Sequence, residues 1–248
     1  MISIYIGNIG SGKTACAVRD IALNRTCRKV YSNILMKKLK NAIPIKHDMI
    51  VKKELAGYKK TKDGQEPVFD KKLNSEYWKN IKEPISVVLD EAHAIINSRR
   101  AMSKINIIVT DWLALLRRVL GSSDSGYGEL VLITQLPNRI DIIARQMATQ
   151  IRFHKCHYRK RCKKCGAVWQ ENSEMPEGLW ECPKCGSSSL LKYNHMIEVW
   201  HFASMKNYEM WQEFGKRCFY KHYLVNDIEE YFKFYDTLQW DNLFSEVY

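Results

Sequence analysis

Short apolar segments of strand length alternate along the chain with amphipathic segments of helix length. Residues 2–7 alternate and are rich in isoleucine, which predicts a strand, and residues 13–25 carry one apolar helical face, which predicts a helix. Alternating strands and helices predict an α/β fold with a mostly parallel central sheet. The other predicted strands are 29–34, the start of 84–93, 129–135, 148–158 and 192–202, and the other predicted helices are 105–120 and the end of 136–147.

Three stretches have a weaker pattern. Residues 35–84 are rich in lysine, and an Asp63-Gly64 pair there predicts a hairpin or an exposed loop. Residues 121–128 are typical of a flexible loop, and residues 203–248 are aromatic-rich and mixed. The predicted organisation is a core over 1–158, a cysteine-bearing insert over 159–191, and the rest of the core over 192–248.

The sequence GNIGSGKT at residues 7–14 matches the phosphate-binding pattern G-x-x-x-x-G-K-[ST]. It lies between a predicted strand and a predicted helix, where backbone N–H groups and the helix N-terminus attract phosphate. Lys13 is predicted to reach the β- and γ-phosphates and Thr14 to bind Mg²⁺. The alternative is a strand-to-helix turn without a ligand. The residues predicted to bind ATP are Gly7, Asn8, Ile9, Gly10, Ser11, Gly12, Lys13, Thr14, Ala15 and Asp90.

Two polar sequences follow buried strands and complete the predicted site. Asp90 ends the strand in VVLDEAH and can hold Mg²⁺ through water, while Glu91 can act as general base on the attacking water. The Asp-Glu pair favours hydrolysis over phosphoryl transfer by a nucleoside kinase. Gln135 ends the strand VLITQ and is placed to sense the γ-phosphate. The alternatives are two exposed acids at a helix start and a strand-end hydrogen bonder.

Two C-x₂-C pairs, separated by 16 residues, have the spacing of a zinc ribbon. Four thiolates would complete a tetrahedral, structural Zn²⁺ site, and the alternative is four free thiols. The predicted ligands are Cys162, Cys165, Cys182 and Cys185, whereas Cys16, Cys27, Cys156 and Cys218 are predicted to be ordinary reduced residues. His154 and His157 are not expected to join the metal.

Charge indicates the class of partner. The chain has 39 Lys and Arg against 27 Asp and Glu, a net charge of +12, which favours nucleic acid or an anionic surface. Residues 152–164 carry seven cations and no acid, with Phe153 and Tyr158 between them. This predicts contact with a phosphate backbone, with docking to an acidic protein or a solvated face as alternatives.

No apolar run approaches the ~18 residues of a membrane span, and the N-terminus has no signal-peptide pattern. Eight cysteines without a secretory signal favour thiols and metal over disulfides. These features predict a cytoplasmic protein with no integral membrane segment.

The sequences GNIGSGKT, VYSNI, VVLDEAH, VLITQLPNRID and FYDT, in this order, resemble the zonular occludens toxin-like ATPases of filamentous phages and, more broadly, the FtsK–HerA superfamily. The resemblance spans about 1–155 and 192–237. It implies a ring-forming ATPase, often hexameric, that moves double-stranded DNA through a pore. Such a motor would act in viral genome packaging or virion assembly, with capsid or virion proteins as partners, in the host cytoplasm or the virion.

The resemblance also implies an arginine finger supplied by a neighbouring subunit. Arg117 and Arg118 are the first candidates and Arg139 and Arg145 the reserve, and a surface arginine pair is the alternative. Phage relatives usually carry a transmembrane segment after the ATPase domain, which this sequence does not show, and they need not carry the cysteine insert.

Three other activities compete with a DNA motor. The LDEAH sequence is also found in superfamily-2 helicases, but these need a second motor domain for which the chain has no room. A nucleotide-gated binding protein with slow turnover is the main alternative. A phosphoryl-transfer kinase fits less well because of Glu91 and because no lid or acceptor site is evident.

Overall fold

The computed structural model describes residues 1–23, 28–61, 64–96, 104–121, 128–170 and 181–240. Cys27 and most of the loop predicted over 121–128 lie outside these residues. The described strands are β1 (Ile2–Ile6), β2 (Lys29–Ser32), β3 (Ile34–Met36), β4 (Ala42–Pro44), β5 (Val51–Thr61), β6 (Gly64–Leu73), β7 (Ile85–Leu89), β8 (Glu129–Thr134), β9 (Gln150–Cys162), β10 (Val168–Gln170), β11 (Leu190–Phe202), β12 (Lys221–Val225) and β13 (Tyr235–Trp240). The described helices are α1 (Lys13–Leu23), α2 (His47–Ile50), α3 (Ser75–Lys79), α4 (Ala92–Ile95), α5 (Lys104–Gly121), α6 (Ile142–Met147) and α7 (Met205–Phe214), with 3-10 turns at Pro137–Arg139 and Ile228–Phe234.

Nine of the strands in the described ranges form one sheet, in the order β12-β11-β9-β1-β8-β7-β2-β4 with β10 paired to β9. The strands from β9 to β4 are parallel to one another. The strands β10, β11 and β12 add antiparallel pairs at one side. The prediction of an α/β fold with a mostly parallel central sheet is confirmed.

The central strands follow from their sequences. All five residues of β1 and of β7 are buried, Ser3 and Ser86 among them, because both strands lie inside the sheet and are covered on both faces. Helix α1 buries Ala15, Val18 and Ile21 as its pattern predicts, and Ala22 is half-buried.

Helix α5 covers much of the core on one side of the sheet. It buries Val109, Trp112, Leu113 and Leu116, and the ring of Trp112 lies 5.3 Å from that of Trp78 in α3, centroid to centroid. The hydrophobic pattern of residues 105–120 therefore predicted this helix correctly. No helix within the described ranges is both long enough and apolar enough to cross a membrane.

Strands β9 and β11 form a long antiparallel ribbon that leads to the cysteines. Their pairing runs from Ile151 opposite Phe202 to Cys162 opposite Leu190. The strand predicted over 192–202 is confirmed as part of β11, which pairs with the strand before the insert. The predicted insert, 159–191, shares its first residues with β9 and its last with β11.

Strands β5 and β6 form a hairpin, the first of the two structures considered for this stretch, and Asp63 itself lies outside the described residues. Strands β5 and β6 pair from Val51 opposite Leu73 to Thr61 opposite Gly64 and make a separate two-stranded sheet. Only the base of the hairpin joins the core, because Val51 is buried whereas most residues farther along the strands are exposed.

Candidate active site and metal centre

Three parallel strands end at one edge of the sheet and bring the predicted site together. Strand β1 leads into the glycine-rich loop, β7 into Asp90 and Glu91, and β8 into Gln135. Since the carboxyl ends of parallel strands meet at the same edge, these side chains converge. Lys13, Thr14, Ala15, Asp90, Glu91 and Gln135 all line one cavity of about 300 Å³.

The glycine-rich loop depends on glycine at two positions. Gly12 has φ 85°, and a Cβ there would clash with Cδ1 of Ile197 on β11. A Cβ at Gly7 would clash with the carbonyl oxygen of His154 on β9. Strands β9 and β11 thus pack closely against the loop, and a side chain at Gly7 or Gly12 would prevent this close contact.

Lys13 folds back into the loop. Its Nζ donates to the carbonyl oxygens of Gly7 (3.0 Å) and Asn8 (2.8 Å), and the side chain is buried. Burial lowers the pKa of Lys13, and the charges of Asp90 and Glu91 oppose that shift. A phosphate offers this ammonium a full negative charge in place of two carbonyl dipoles, so the loop is suited to exchange one for the other.

Thr14 and Asp90 form the second part of the site. The Thr14 hydroxyl donates to Oδ2 of Asp90 at 2.8 Å, and burial raises the pKa of Asp90. The backbone N–H and C=O of Asp90 are held by the Asn33 amide at 2.7 and 2.9 Å. A hydroxyl and a carboxylate in contact fit Mg²⁺, which takes oxygen ligands and fills its other positions with phosphate and water. Asn33 lies in VYSNI, one of the sequences that carry the family resemblance, but the sequence interpretation assigned it no function.

Glu91 is held from two sides. Its Oε1 accepts a hydrogen bond from Gln135 Nε2 at 2.8 Å, and its Oε2 lies 3.2 Å from His93 Nδ1. His93 Nδ1 also lies 3.2 Å from the Thr134 hydroxyl. We call Glu91, His93 and Gln135 the Glu91 clamp. His93 follows Glu91 by two residues in LDEAH, and the sequence interpretation assigned it no function.

The backbone of Glu91 is also unusual. Its φ and ψ are 49° and 42°, in the left-handed region that non-glycine residues rarely adopt. This conformation destabilises the residue by about 1–2 kcal/mol, and such strain is often found at functional sites. Glu91 occupies the N-cap position of α4.

The four candidate arginines do not line this cavity within the described residues. Arg117 and Arg118 are exposed near the end of α5, Arg139 is exposed, and Arg145 is half-buried in α6. Their proposed action on a neighbouring subunit's nucleotide stays a prediction.

The profile of one protein family, zonular occludens toxin (Zot), matches residues 1–164. The chain belongs to the Zot family. The match includes the glycine-rich loop, the Glu91 clamp and the whole of β9. Comparison with curated proteins gives no match.

Solved structures also resemble this Zot-family chain. The N-terminal domain of zonular occludens toxin from Neisseria meningitidis is 18% identical, with TM-score 0.46, over 95% of this chain and 98% of that one. The genome packaging NTPase B204 of Sulfolobus turreted icosahedral virus 2, in complex with sulfate, is 14% identical, with TM-score 0.35, over 61% and 72%. The same NTPase in complex with AMPPCP is 14% identical, with TM-score 0.36, over 61% and 73%.

The four predicted zinc cysteines lie together, although the Zot match includes only Cys162 of them. The sulfur atoms of Cys162, Cys165, Cys182 and Cys185 all lie within 4.8 Å of one another. Two of the Sγ–Sγ distances, Cys162–Cys185 and Cys165–Cys182, are 3.6 Å. Four sulfurs around Zn²⁺ at about 2.3 Å are about 3.8 Å apart, so the cluster fits a tetrahedral zinc site.

Each cysteine pair forms the same tight turn. Gly166 N donates to Cys162 O at 3.0 Å and Gly186 N to Cys182 O at 2.8 Å, both glycines having φ near 70°. The backbone N–H of Cys165 lowers the pKa of the Cys162 thiol to about 6, whereas desolvation and hydrogen bonds with the other cysteines of the cluster raise the pKa of the Cys185 thiol to about 12, so the four thiols titrate as one group.

The two histidines before the cluster have other partners. His154 is fully buried near Ile6 O, and burial lowers its pKa to about 3. His157 Nε2 lies 2.8 Å from a carboxylate oxygen of Glu198. Both observations agree with the expectation that these histidines do not bind the metal.

The basic stretch 152–164 needs two corrections. Arg152 was expected at a phosphate-binding surface, but it is mostly buried and pairs with Asp20 at 2.6 Å. Phe153 packs against Trp200 and Trp211 instead of lying between exposed cations. Both residues lie deep in β9, where the sheet and α7 cover it. The cations described nearer the cysteines are exposed or half-buried: Lys155, Lys160, Arg161, Lys163 and Lys164.

Proposed function

We propose that this Zot-family protein is a Mg²⁺-dependent P-loop ATPase that moves DNA in viral genome packaging or virion assembly. The observation that carries the proposal is the convergence of Lys13, the Thr14–Asp90 pair and Glu91 in one cavity. Membership of the Zot family supports a nucleotide-hydrolysing assembly or packaging motor.

The glycine-rich loop would bind the phosphates of ATP. Its backbone N–H groups and the N-terminus of α1 attract them, and Lys13 would move from the carbonyls of Gly7 and Asn8 to the β- and γ-phosphates. Thr14 and Asp90 would hold Mg²⁺, which neutralises charge on the transferring group. The rings of Phe232 and Tyr235 line the same cavity and offer apolar surface to the nucleoside.

Glu91 would take the proton from the attacking water. Both of its carboxylate oxygens have partners in the structure, Gln135 and His93. A γ-phosphate that attracts the Gln135 amide would free Oε1 for a water molecule. The Glu91 clamp would therefore link nucleotide binding to the start of hydrolysis.

The clamp also favours the second candidate function, a nucleotide-gated binding protein with slow turnover. If nucleotide alone does not release Glu91, the protein would hold ATP until a partner acts.

For either function we propose a homo-oligomeric ring, such as a hexamer, in which the exposed Arg117 or Arg118 reaches the nucleotide of a neighbouring subunit. We propose that Zn²⁺ is structural and holds together the cysteine turns at the end of the β9–β11 ribbon. The cations at this end of the ribbon would then contact nucleic acid.

Steady-state hydrolysis separates the two functions. We expect purified protein with Mg²⁺ to hydrolyse ATP and its rate to rise severalfold when double-stranded DNA is added, because a motor couples turnover to its track. A phosphate-release assay with and without DNA measures this. Turnover that is slow and indifferent to DNA, together with ATP-dependent assembly, would instead support the nucleotide-gated protein.

A further inference from the structure

The β5–β6 hairpin has two chemically different faces. Side chains alternate between the faces along each strand except at the register shift between Leu55 and Gly57, and cross-strand partners share a face. Phe69 opposite Leu55 and Lys71 opposite Lys53 therefore point the same way. We call this side the lysine–aromatic face, and its members are Lys53, Leu55, Tyr58, Lys60, Gln65, Pro67, Phe69 and Lys71.

Large apolar side chains on this face are open to solvent. Tyr58 is 63% exposed, Phe69 54% and Leu55 53%. Val68 on the opposite face is also exposed, at 43%, but the large apolar side chains are grouped on this face, and a grouped set of this kind is typical of an interaction site. These rings are therefore available to a partner.

The charges are divided between the faces. On the described part of the hairpin the lysine–aromatic face carries Lys53, Lys60 and Lys71 and no acid. The acids lie on the opposite face, where Glu54 pairs with Lys52 and Lys72, both at 2.7 Å, and Asp70 pairs with Lys104 of α5. Lysines thus neutralise the charges of Glu54 and Asp70 on the opposite face, whereas the lysine–aromatic face keeps a net positive charge.

We propose that the lysine–aromatic face binds an unpaired stretch of nucleic acid. The lysines would contact phosphates, and Tyr58 and Phe69 would stack on bases. Lys53 and Lys60 lie roughly 20 Å apart along β5, enough for several nucleotides. The inference rests on the proposed function for the identity of the partner as nucleic acid.

Other partners fit this face less well. A second copy of this chain has 39 basic and 27 acidic residues, so its surface is predominantly positive and would repel the lysines. A membrane presents an anionic layer above an apolar layer, whereas on this face lysines flank an apolar centre, in the order Lys53, Leu55, Tyr58 and Lys60 along β5. An unpaired strand can place phosphates beside the lysines at both ends and bases on the rings between them.

The test measures binding of a fluorescent single-stranded oligonucleotide by anisotropy, with the full chain and without ATP. Tyr58→Ala and Phe69→Ala are each expected to weaken binding at least about fivefold, because each removes a stacking ring. Lys53→Ala and Lys60→Ala are each expected to reduce the slope of log affinity against log salt by about 0.7. Val68→Ala and Lys59→Ala, on the opposite face, are matched controls that should bind as wild type.

Three results would overturn the proposal: no binding by wild type, equal binding by the variants of both faces, or binding to phosphatidylserine vesicles but not to the oligonucleotide.

Thermal melting of each variant verifies its fold. Basal ATP hydrolysis is measured in parallel. If the lysine–aromatic variants bind normally while wild type hydrolyses ATP, only the hairpin proposal fails; if wild type binds as predicted but does not hydrolyse ATP, only the ATPase proposal fails.

Discussion

Glu91→Gln is expected to reduce ATP hydrolysis by about 10²- to 10⁴-fold, the range typical of a lost general base. Glutamine keeps the shape of the side chain and can still accept a hydrogen bond from Gln135, so the cavity should survive. It cannot take a proton from water at neutral pH. ATP binding should therefore persist while the chemical step fails, and single-turnover hydrolysis together with nucleotide titration measures both.

The matched control for this substitution is Glu76→Gln. Glu76 is an exposed glutamate in the first turn of α3 and does not line the cavity, so its loss should leave hydrolysis unchanged. If the Glu91→Gln variant kept more than about a tenth of the wild-type rate, its loss of rate would be smaller than the loss expected when a general base is removed. In that event, Glu91 would not be the base.

Loss of one zinc ligand is expected to remove the metal and unfold the cysteine insert. Apparent binding free energies of structural Zn²⁺ in small peptides are about 10–16 kcal/mol, so the turns at Cys162–Cys165 and Cys182–Cys185 should depend on the ion. We expect one Zn²⁺ per chain in the wild type and none in Cys182→Ser. Elemental analysis gives the metal content, and limited proteolysis detects the unfolded insert.

Cys218→Ser is the control for the zinc experiment, because Cys218 is a half-buried cysteine outside the cluster. It should keep the metal and the protease resistance of the wild type. Wild-type protein purified without chelators that contained no zinc, or a Cys182→Ser variant that retained it, would refute the four-cysteine site.

The sequence indicates a candidate site where a function needs a fixed local pattern. The loop at 7–14 requires glycines, a lysine and a threonine in order, and the cysteine pairs require their two-residue spacing. Asp90 and Gln135 could be assigned to one site because each follows an apolar strand, and the carboxyl ends of parallel strands lie at the same edge of the sheet. These signals do not depend on distant parts of the chain.

Other contacts at the site could not be predicted, because they join segments that are distant in sequence. Asn33 reaches Asp90 across neighbouring strands, and His93 meets Thr134 through the pairing of β7 with β8. Arg152 was misassigned for the same reason, since its burial depends on Asp20 of α1. A run of cations indicates an exposed surface only where no acid from elsewhere meets it.

A crystal structure with a non-hydrolysable ATP analogue and Mg²⁺ tests the central claim most directly. We expect the β- and γ-phosphates in the loop at 7–14, Lys13 Nζ moved from the carbonyls of Gly7 and Asn8 onto phosphate, and Glu91 hydrogen-bonded to a water in line with the γ-phosphate. An analogue bound outside this loop, or a Glu91 that is remote from the γ-phosphate, would contradict the account.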